Sequence, residues 1–358
     1  MNTKSLLLGL LAGLLPLTGF TYEYSSFLGT KIKWVDEDIT LRAAAVSFPV
    51  GAWRDDLIDA KNRWNDNPSD FRWTLQFNES TVGLYNFQNE VWFSDDQDVL
   101  DGAPAITYTW YLGTALVEAD IISDADWNFT TSPATSISQA YEGTARTFVS
   151  VCLHEMGHAL GLAHENDLYN IMGDDSTHVN ANSGDIHFYP GEDACNGAVF
   201  LYGLDSTHRE DVSVTHWKWS GRSGEYSTHA RTLIKDASGK PRAVHSGTED
   251  DPAYEVYMGE EIDLEFQFEN SGATTQSPLT GFYLSIGNNN ITTSDRLLAT
   301  RTPTLGRNTT YLTTQRLTIP TDLVRGTTYY LGIIVDKNDS LAEVNETNNA
   351  TYIAIYIP

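Results

Sequence analysis

The chain of 358 residues carries 48 Asp and Glu against 22 Lys and Arg, for a formal charge of -26 and a pI near 4.5. So acidic a chain excludes a phosphate-binding surface and with it nucleic acid as a partner, because that affinity rests on clustered Lys and Arg. A hydrophobic share of 41% excludes an intrinsically disordered chain, and the length points to two domains or one large one.

Lys4 opens the N-terminus and an apolar run from Leu6 to Leu17 follows. This run has the length of a signal-peptide core and is too short to span a bilayer. Residues 1–21 are therefore expected to be a signal peptide, leaving a secreted mature chain with no membrane span. A retained N-terminal anchor is the alternative. Neither a twin-arginine pair nor a lipid-accepting cysteine is present.

Ile39-Thr40-Leu41-Arg42-Ala43, within residues 31–47, reads as a first strand that Pro49 and Gly51 end. Trp53, Leu57, Ala60 and Trp64 recur at helical spacing, which predicts an amphipathic helix lying on a sheet. Alternating runs at residues 72–77, 90–94, 105–112 and 115–123, separated by Gly, Asp and Asn, predict further strands of a twisted mixed sheet.

The densest chemistry follows in His154-Glu155-Met156-Gly157-His158-Ala159-Leu160-Gly161-Leu162-Ala163-His164, with Met172 after it. Two histidines four residues apart on a helix are offset by only about 40 degrees, so both imidazoles can grip one ion. Glu155 is rotated about 100 degrees from the first ligand and can reach a water activated by that ion without binding the metal, as a general base must. A continuing helix would carry His164 about 240 degrees past His158. Gly161 supplies the break, because glycine tolerates the left-handed conformation that ends helices and lets the chain deliver His164 to a third corner. Three neutral imidazoles with an open fourth position fit one catalytic zinc, whose full charge lowers the pKa of a bound water to roughly 7. Cys152 and Cys195 are the two cysteines. Cys152 lies about 200 degrees round the helix from His154 and points away from the ion. A Cys152–Cys195 disulfide, worth about 4 kcal/mol in the chain-entropy model, is the expectation for an exported chain; two free buried thiols are the alternative.

The eleven-residue pattern with Met172 resembles the metzincin zinc metallopeptidases, with their H-E-x-x-H-x-x-G-x-x-H and Met-turn. The interval from His164 to Met172 and the later Leu201-Tyr202-Gly203 resemble the matrixins within that group. Gly173, Asp174 and Asp175 follow the methionine where matrixins usually continue with Pro and Tyr, and Glu165 is closer to an astacin. The resemblance implies a metzincin-like catalytic domain at residues 22–203, a twisted mixed sheet with three helices, in which residues 105–112 form the edge strand beside the cleft. It also implies calcium: the segment from Glu118 and Asp120 through Asp124 and Asp126 to Trp127 is similar to the matrixin segment bearing calcium-binding carboxylates, with a solvated acidic face as the alternative. No histidine precedes His154, so the upstream structural zinc site of matrixins is missing, and no further cysteine is available as a latency switch.

Residues 174–193 read as a long polar loop beside the cleft, residues 194–202 as a closing helix and Gly203 as its cap. The histidines at 178, 187, 208, 216, 229 and 245 lack ligand spacing and are expected at the surface. Residues 204–254 hold 7 Lys and Arg against 8 Asp and Glu and read as a structured connector. From residue 255 to 358 the pattern becomes all-strand: Ile262, Leu264, Phe266 and Phe268 alternate with polar residues, and residues 282–286, 310–319 and 328–335 continue likewise, predicting an Ig-like β-sandwich. Gly259, Tyr283-Leu284-Ser285, Asp336 and Glu343-Val344-Asn345-Glu346-Thr347-Asn348-Asn349 resemble CARDB, or cell-adhesion-related, domains of bacterial exported proteins. That resemblance implies attachment to a surface or matrix.

The fold class is thus α+β followed by all-β. The leading reading is a secreted endopeptidase acting on protein or peptide substrates with Glu155 as general base and acid. An adhesion or binding protein with a structural zinc is the alternative, and a hydrolase acting on something other than peptide is a third. Glu155 favours the first, because a metal site kept only for structure needs no base.

Overall fold

A computed structural model describes residues 22–141, 143–173 and 178–358. The expected signal segment lies outside the described residues, as do Asp174 and Asp175. Among the described residues no helix is long and apolar enough to cross a membrane.

The N-terminal region is built on a five-stranded sheet in the order Arg72–Glu79, Asp38–Ala44, Glu90–Ser94, Ala115–Asp124, Ala105–Leu112. The first four run parallel and the last is antiparallel to its neighbour. Parallel neighbours need a crossover, and helix Ala52–Asn65 provides it between the first two strands in sequence, burying Leu57, Ala60 and Trp64. The antiparallel pair needs only a two-residue turn, which Gly113 opens with φ 66. Ala105–Leu112 therefore lies at the sheet edge, as the metzincin resemblance implied.

Helix Phe148–Leu160 carries the histidine motif and is buried at every residue. A helix apolar nearly all round belongs inside a domain, and here helix Ala52–Asn65 covers one side of it, with Trp64 Nε1 donating to Leu153 O at 2.9 Å. Helix Gly191–Tyr202, capped at Gly203, closes the region, and the Tyr202 hydroxyl donates to Leu160 O. Part of the expected loop at 174–193 is a hairpin, Val179–Asn182 with Asp185–Phe188. Its turn residues Ser183 and Gly184 both have positive φ, at 61 and 83, the conformation a tight two-residue turn demands.

The C-terminal region packs a six-stranded sheet, Val244–Gly247, Pro252–Glu255, Ala350–Ile357, Thr327–Ile334, Thr280–Ile286, Arg296–Arg301, against a sheet centred on Glu261–Asn270. Phe266, Phe268, Phe282, Leu331 and Ile355 fill the space between them. The stretch read as a connector supplies strands to both sheets: Val212–Thr215 and Ile234–Asp236 pair with Glu261–Asn270, while Val244–Gly247 and Pro252–Glu255 extend the other. Between them, Trp217–Ser223 and Tyr226–Arg231 form a separate hairpin.

The two regions share buried contacts. Tyr283, Ile291 and Tyr352 join the N-terminal core, and Glu269 accepts from the Tyr189 hydroxyl at 2.9 Å and Ser213 Oγ at 3.1 Å while meeting His178 Nε2 at 3.0 Å. His178 and His216 are consequently buried rather than at the surface; each has a polar partner from a distant segment, which is how a buried imidazole is satisfied.

Candidate metal centre

Helix Phe148–Leu160 places His154 and His158 one turn apart, and Gly161 ends it in the left-handed region with φ 111. Beyond the glycine, the chain is held by the N-terminal segment: Ser25 N donates to Gly161 O and Ala163 N to Glu23 O, both at 3.0 Å. Glu165 N then donates to Met172 O at 3.1 Å. These bonds bring His164 back to the helix. One nitrogen from each of His154, His158 and His164 lies within 4.8 Å of the others, and they are the one such group among the described residues.

Two of the imidazoles are tied by Nδ1, and the third has its Nδ1 beside a carboxylate. His154 Nδ1 donates to Ile171 O at 2.8 Å and His158 Nδ1 to Leu162 O at 2.9 Å, and His164 Nδ1 lies 3.1 Å from Glu225 Oε1. A carbonyl can only accept, so the proton of His154 and of His158 sits on Nδ1 and their Nε2 atoms are bare. His154 Nε2 and His158 Nε2 are 3.0 Å apart, and His164 Nε2 is buried without a partner. Bare lone pairs held together repel unless a cation lies between them. Tetrahedral zinc bonded at about 2.0–2.1 Å separates its nitrogens by about 3.3 Å, so the donor set and spacing fit that ion. Burial also keeps the imidazoles neutral, the form that ligates: it lowers His154 and His164 far below the ordinary range and His158 to about 4.

Glu155 stands beside this group and outside it. Thr107 Oγ1, on the edge strand, lies 2.7 Å from Glu155 Oε2 and 3.0 Å from its backbone carbonyl, while Oε1 is buried and without a partner. Burial pushes this carboxyl up to about 7, against the pull of the Thr107 hydroxyl.

Met172 packs against the histidine helix at Gly157. Its turn is fixed by Met172 N donating to Asn170 Oδ1 at 2.6 Å and Gly173 N to Asn170 O at 3.3 Å. A Cβ at Gly157 would lie 2.4 Å from Met172 Sδ and 3.1 Å from Trp64, so the turn reaches the helix only because that position is glycine. Thr107, Gly157 and Glu225 were not singled out from the sequence. Gly157 was in view as an unassigned motif position; the other two carry no local signal.

The disulfide expectation is corrected, and so is the solvated acidic face, since Glu118, Asp120 and Asp124 are buried. Cys152 and Cys195 are free and buried. Cys152 lies in the core near Asp56 and Glu155, whereas Cys195 faces Asp211, Glu192 and Glu269, so their helices turn the thiols to different surroundings. Among the described residues the candidate calcium ligands are not gathered into one group. Glu118 and Asp120 are buried with Glu90, whereas Asp124 and Asp126 form a turn in which Asp126 N donates to Asp124 Oδ1 at 2.8 Å. A strand advances about 3.3 Å per residue, which keeps the two pairs roughly 13 Å apart.

Residues 33–203 match the matrixin family model and residues 244–352 the CARDB model. The chain joins a matrixin domain to a CARDB domain. Among solved structures it is similar to the solution structure of a CARDB domain from Pyrococcus furiosus, at 18% identity, TM-score 0.26, covering 42% of this chain and 96% of that one. It is also similar to a crystal structure of that domain in complex with di-metal ions, at 16% identity, TM-score 0.27, covering 43% and 97%. No curated protein matches it. The matrixin match identifies residues 33–203 as a metallopeptidase-type domain, and that family implies zinc at the histidine trio.

Proposed function

We propose that this chain is a secreted zinc endopeptidase in which His154, His158 and His164 hold the metal and Glu155 moves the proton. The observation that carries the reading is the convergence of three imidazoles with bare Nε2 atoms beside a carboxylate with one free oxygen. Bound zinc would supply a Lewis acid that activates a water and polarises the scissile carbonyl. Glu155 accepts the water's proton at Oε1, because Oε2 is anchored by Thr107, and returns it to the leaving amine as the C–N bond breaks. Edge strand Ala105–Leu112 offers main-chain groups with which an extended peptide can pair irrespective of much of its sequence. The CARDB domain would serve attachment to a surface or matrix.

A structural zinc is closed by four protein ligands, and three gather here among the described residues, which favours catalysis over the adhesion-protein alternative. In the test, Glu155→Ala should keep its zinc and lose casein hydrolysis by about three orders of magnitude or more. Wild-type turnover in the zinc-loaded variant would sink the reading.

A further inference from the structure

The third histidine is held from outside the matrixin match. His154 and His158 are each tied by a backbone carbonyl close in sequence, but His164 Nδ1 meets Glu225 Oε1 at 3.1 Å. Glu225 lies between the domain matches at 33–203 and 244–352, in the turn of hairpin Trp217–Ser223 and Tyr226–Arg231. Register pairs Ser223 with Tyr226, so Gly224 and Glu225 alone make the turn, and Gly224 has φ 64. A two-residue turn of this kind is rigid and projects its second side chain at a fixed angle.

The hairpin is docked at several further points. The Tyr226 ring lies 3.8 Å from that of His164, centroid to centroid, and His229 packs on Tyr169 at 4.7 Å. Ser227 N donates to Glu165 O at 2.7 Å, one residue past the ligand. At its base, Trp217 and Arg231 are buried against Tyr141. The hairpin thus brackets residues 164 and 165 with a ring, an amide and a carboxylate.

We infer that Glu225 is a positioning residue for the zinc site: its carboxylate accepts the Nδ1 proton of His164 and so fixes the tautomer and ring direction that present Nε2 to the metal. A carboxylate behind a ligating imidazole also raises its basicity, and outer partners of this kind typically carry about 10–100-fold in metal affinity. The inference rests on the zinc reading and extends it, because it makes a segment beyond the matrixin match part of the metal centre.

The test compares the full-length wild type with Glu225→Ala and Glu225→Gln, measuring zinc dissociation constants by competition with a chromophoric chelator. The Glu225 side chain is 66% exposed, so Ala should leave the metal-free fold and its melting temperature unchanged. Zinc affinity should fall about 10–100-fold in Glu225→Ala and recover in large part in Glu225→Gln, whose amide oxygen can still accept from Nδ1. In nitrogen-15 histidine spectra of the metal-free protein, one imidazole should lose its fixed Nδ1–H tautomer in the Ala variant alone. A folded Glu225→Ala variant with wild-type zinc affinity and an unchanged histidine spectrum overturns the inference. Failure of the wild type to bind zinc overturns the reading beneath it, a separate and distinguishable result.

Discussion

His154, His158 and His164 are as deeply buried as Glu90, Glu118 and Asp120, yet the two trios answer burial differently. The imidazoles bring one nitrogen each to within 4.8 Å of the others, with His154 and His158 tied by Nδ1 and His164 Nε2 buried without a partner. The carboxylates take main-chain donors: Asn86 N and Phe87 N donate to Glu118 at 3.0 and 2.8 Å, Gly83 N to Glu90 at 2.9 Å, and Glu90 N to Asp120 at 3.0 Å. Although Glu90 Oε1 and Asp120 Oδ2 stay buried without a partner, among the described residues these oxygens do not gather as the imidazole nitrogens do. Beyond burial, Asp120 stands close enough to Glu118 for the neighbouring charge to raise its pKa, which favours a proton on Asp120. Metal-binding geometry therefore follows from convergence, three ligand atoms within 4.8 Å of one another; burial, ligand-type residues and spare lone pairs alone do not create it.

The largest way to break this comparison is to remove one member of each trio. His154→Ala should lower zinc stoichiometry from one toward zero and abolish hydrolysis, a loss of about a thousandfold or more, since the metal supplies several kcal/mol of stabilisation. Glu118→Gln should leave zinc content unchanged, as measured by elemental analysis after desalting. Equal zinc loss in both variants would mean that the carboxylates belong to a metal centre after all.

A smaller effect separates the trios by pH. Burial, then the charge of Glu118 and the bond to it, then the charge of Glu90, push Asp120 up to about 9 against the pull of the Glu90 amide. The folded state holds this proton more tightly than the unfolded chain does. The resulting stabilisation is whole below the ordinary value of 3.8 and is lost as pH rises through about 9. Asp120→Asn mimics the protonated acid, keeping an acceptor for Glu90 N and a donor for Glu118. Urea midpoints should show the wild type losing stability relative to this variant between pH 5 and 9, with a slope of up to about 1.4 kcal/mol per pH unit. Parallel pH curves would show that Asp120 holds no extra proton.

The sequence revealed what periodicity and spacing encode locally. The helix Ala52–Asn65, the strand pattern, the Gly161 break and the turn at Met172 all lie within a few residues of their own causes. Partners joined only by the fold were not legible: Thr107 reaches Glu155 across the sheet edge, Glu225 reaches His164 from a later hairpin, and His178 is buried by Glu269 of the sandwich. The cysteines and the acidic segment misled for a related reason. Cys152 stands outside the histidine group, but nothing local says which way Cys195 faces. Glu118 through Asp126 share one strand and its end, where spacing along the chain becomes distance in space.

Gly157 sharpens the comparison most finely, because it tests whether the imidazole trio depends on ties behind it. The Cβ of Gly157→Ala would overlap Met172 Sδ, 2.4 Å away, in a core where Met172 is only 2% exposed. Overpacking of this sort costs about 1–3 kcal/mol, and the gain of about 0.5–1 kcal/mol from replacing a helical glycine offsets part of it. The net expectation is a loss of about 1 kcal/mol. The displaced methionine also moves its neighbour Ile171, whose carbonyl holds His154 Nδ1 at 2.8 Å, so zinc affinity should fall along with stability. In a Met172→Ala background the overlap is gone, and the same Gly157→Ala change should become neutral or stabilising by urea titration. An equal loss in both backgrounds would place the cost in the helix itself and remove the methionine turn from the support of the metal centre.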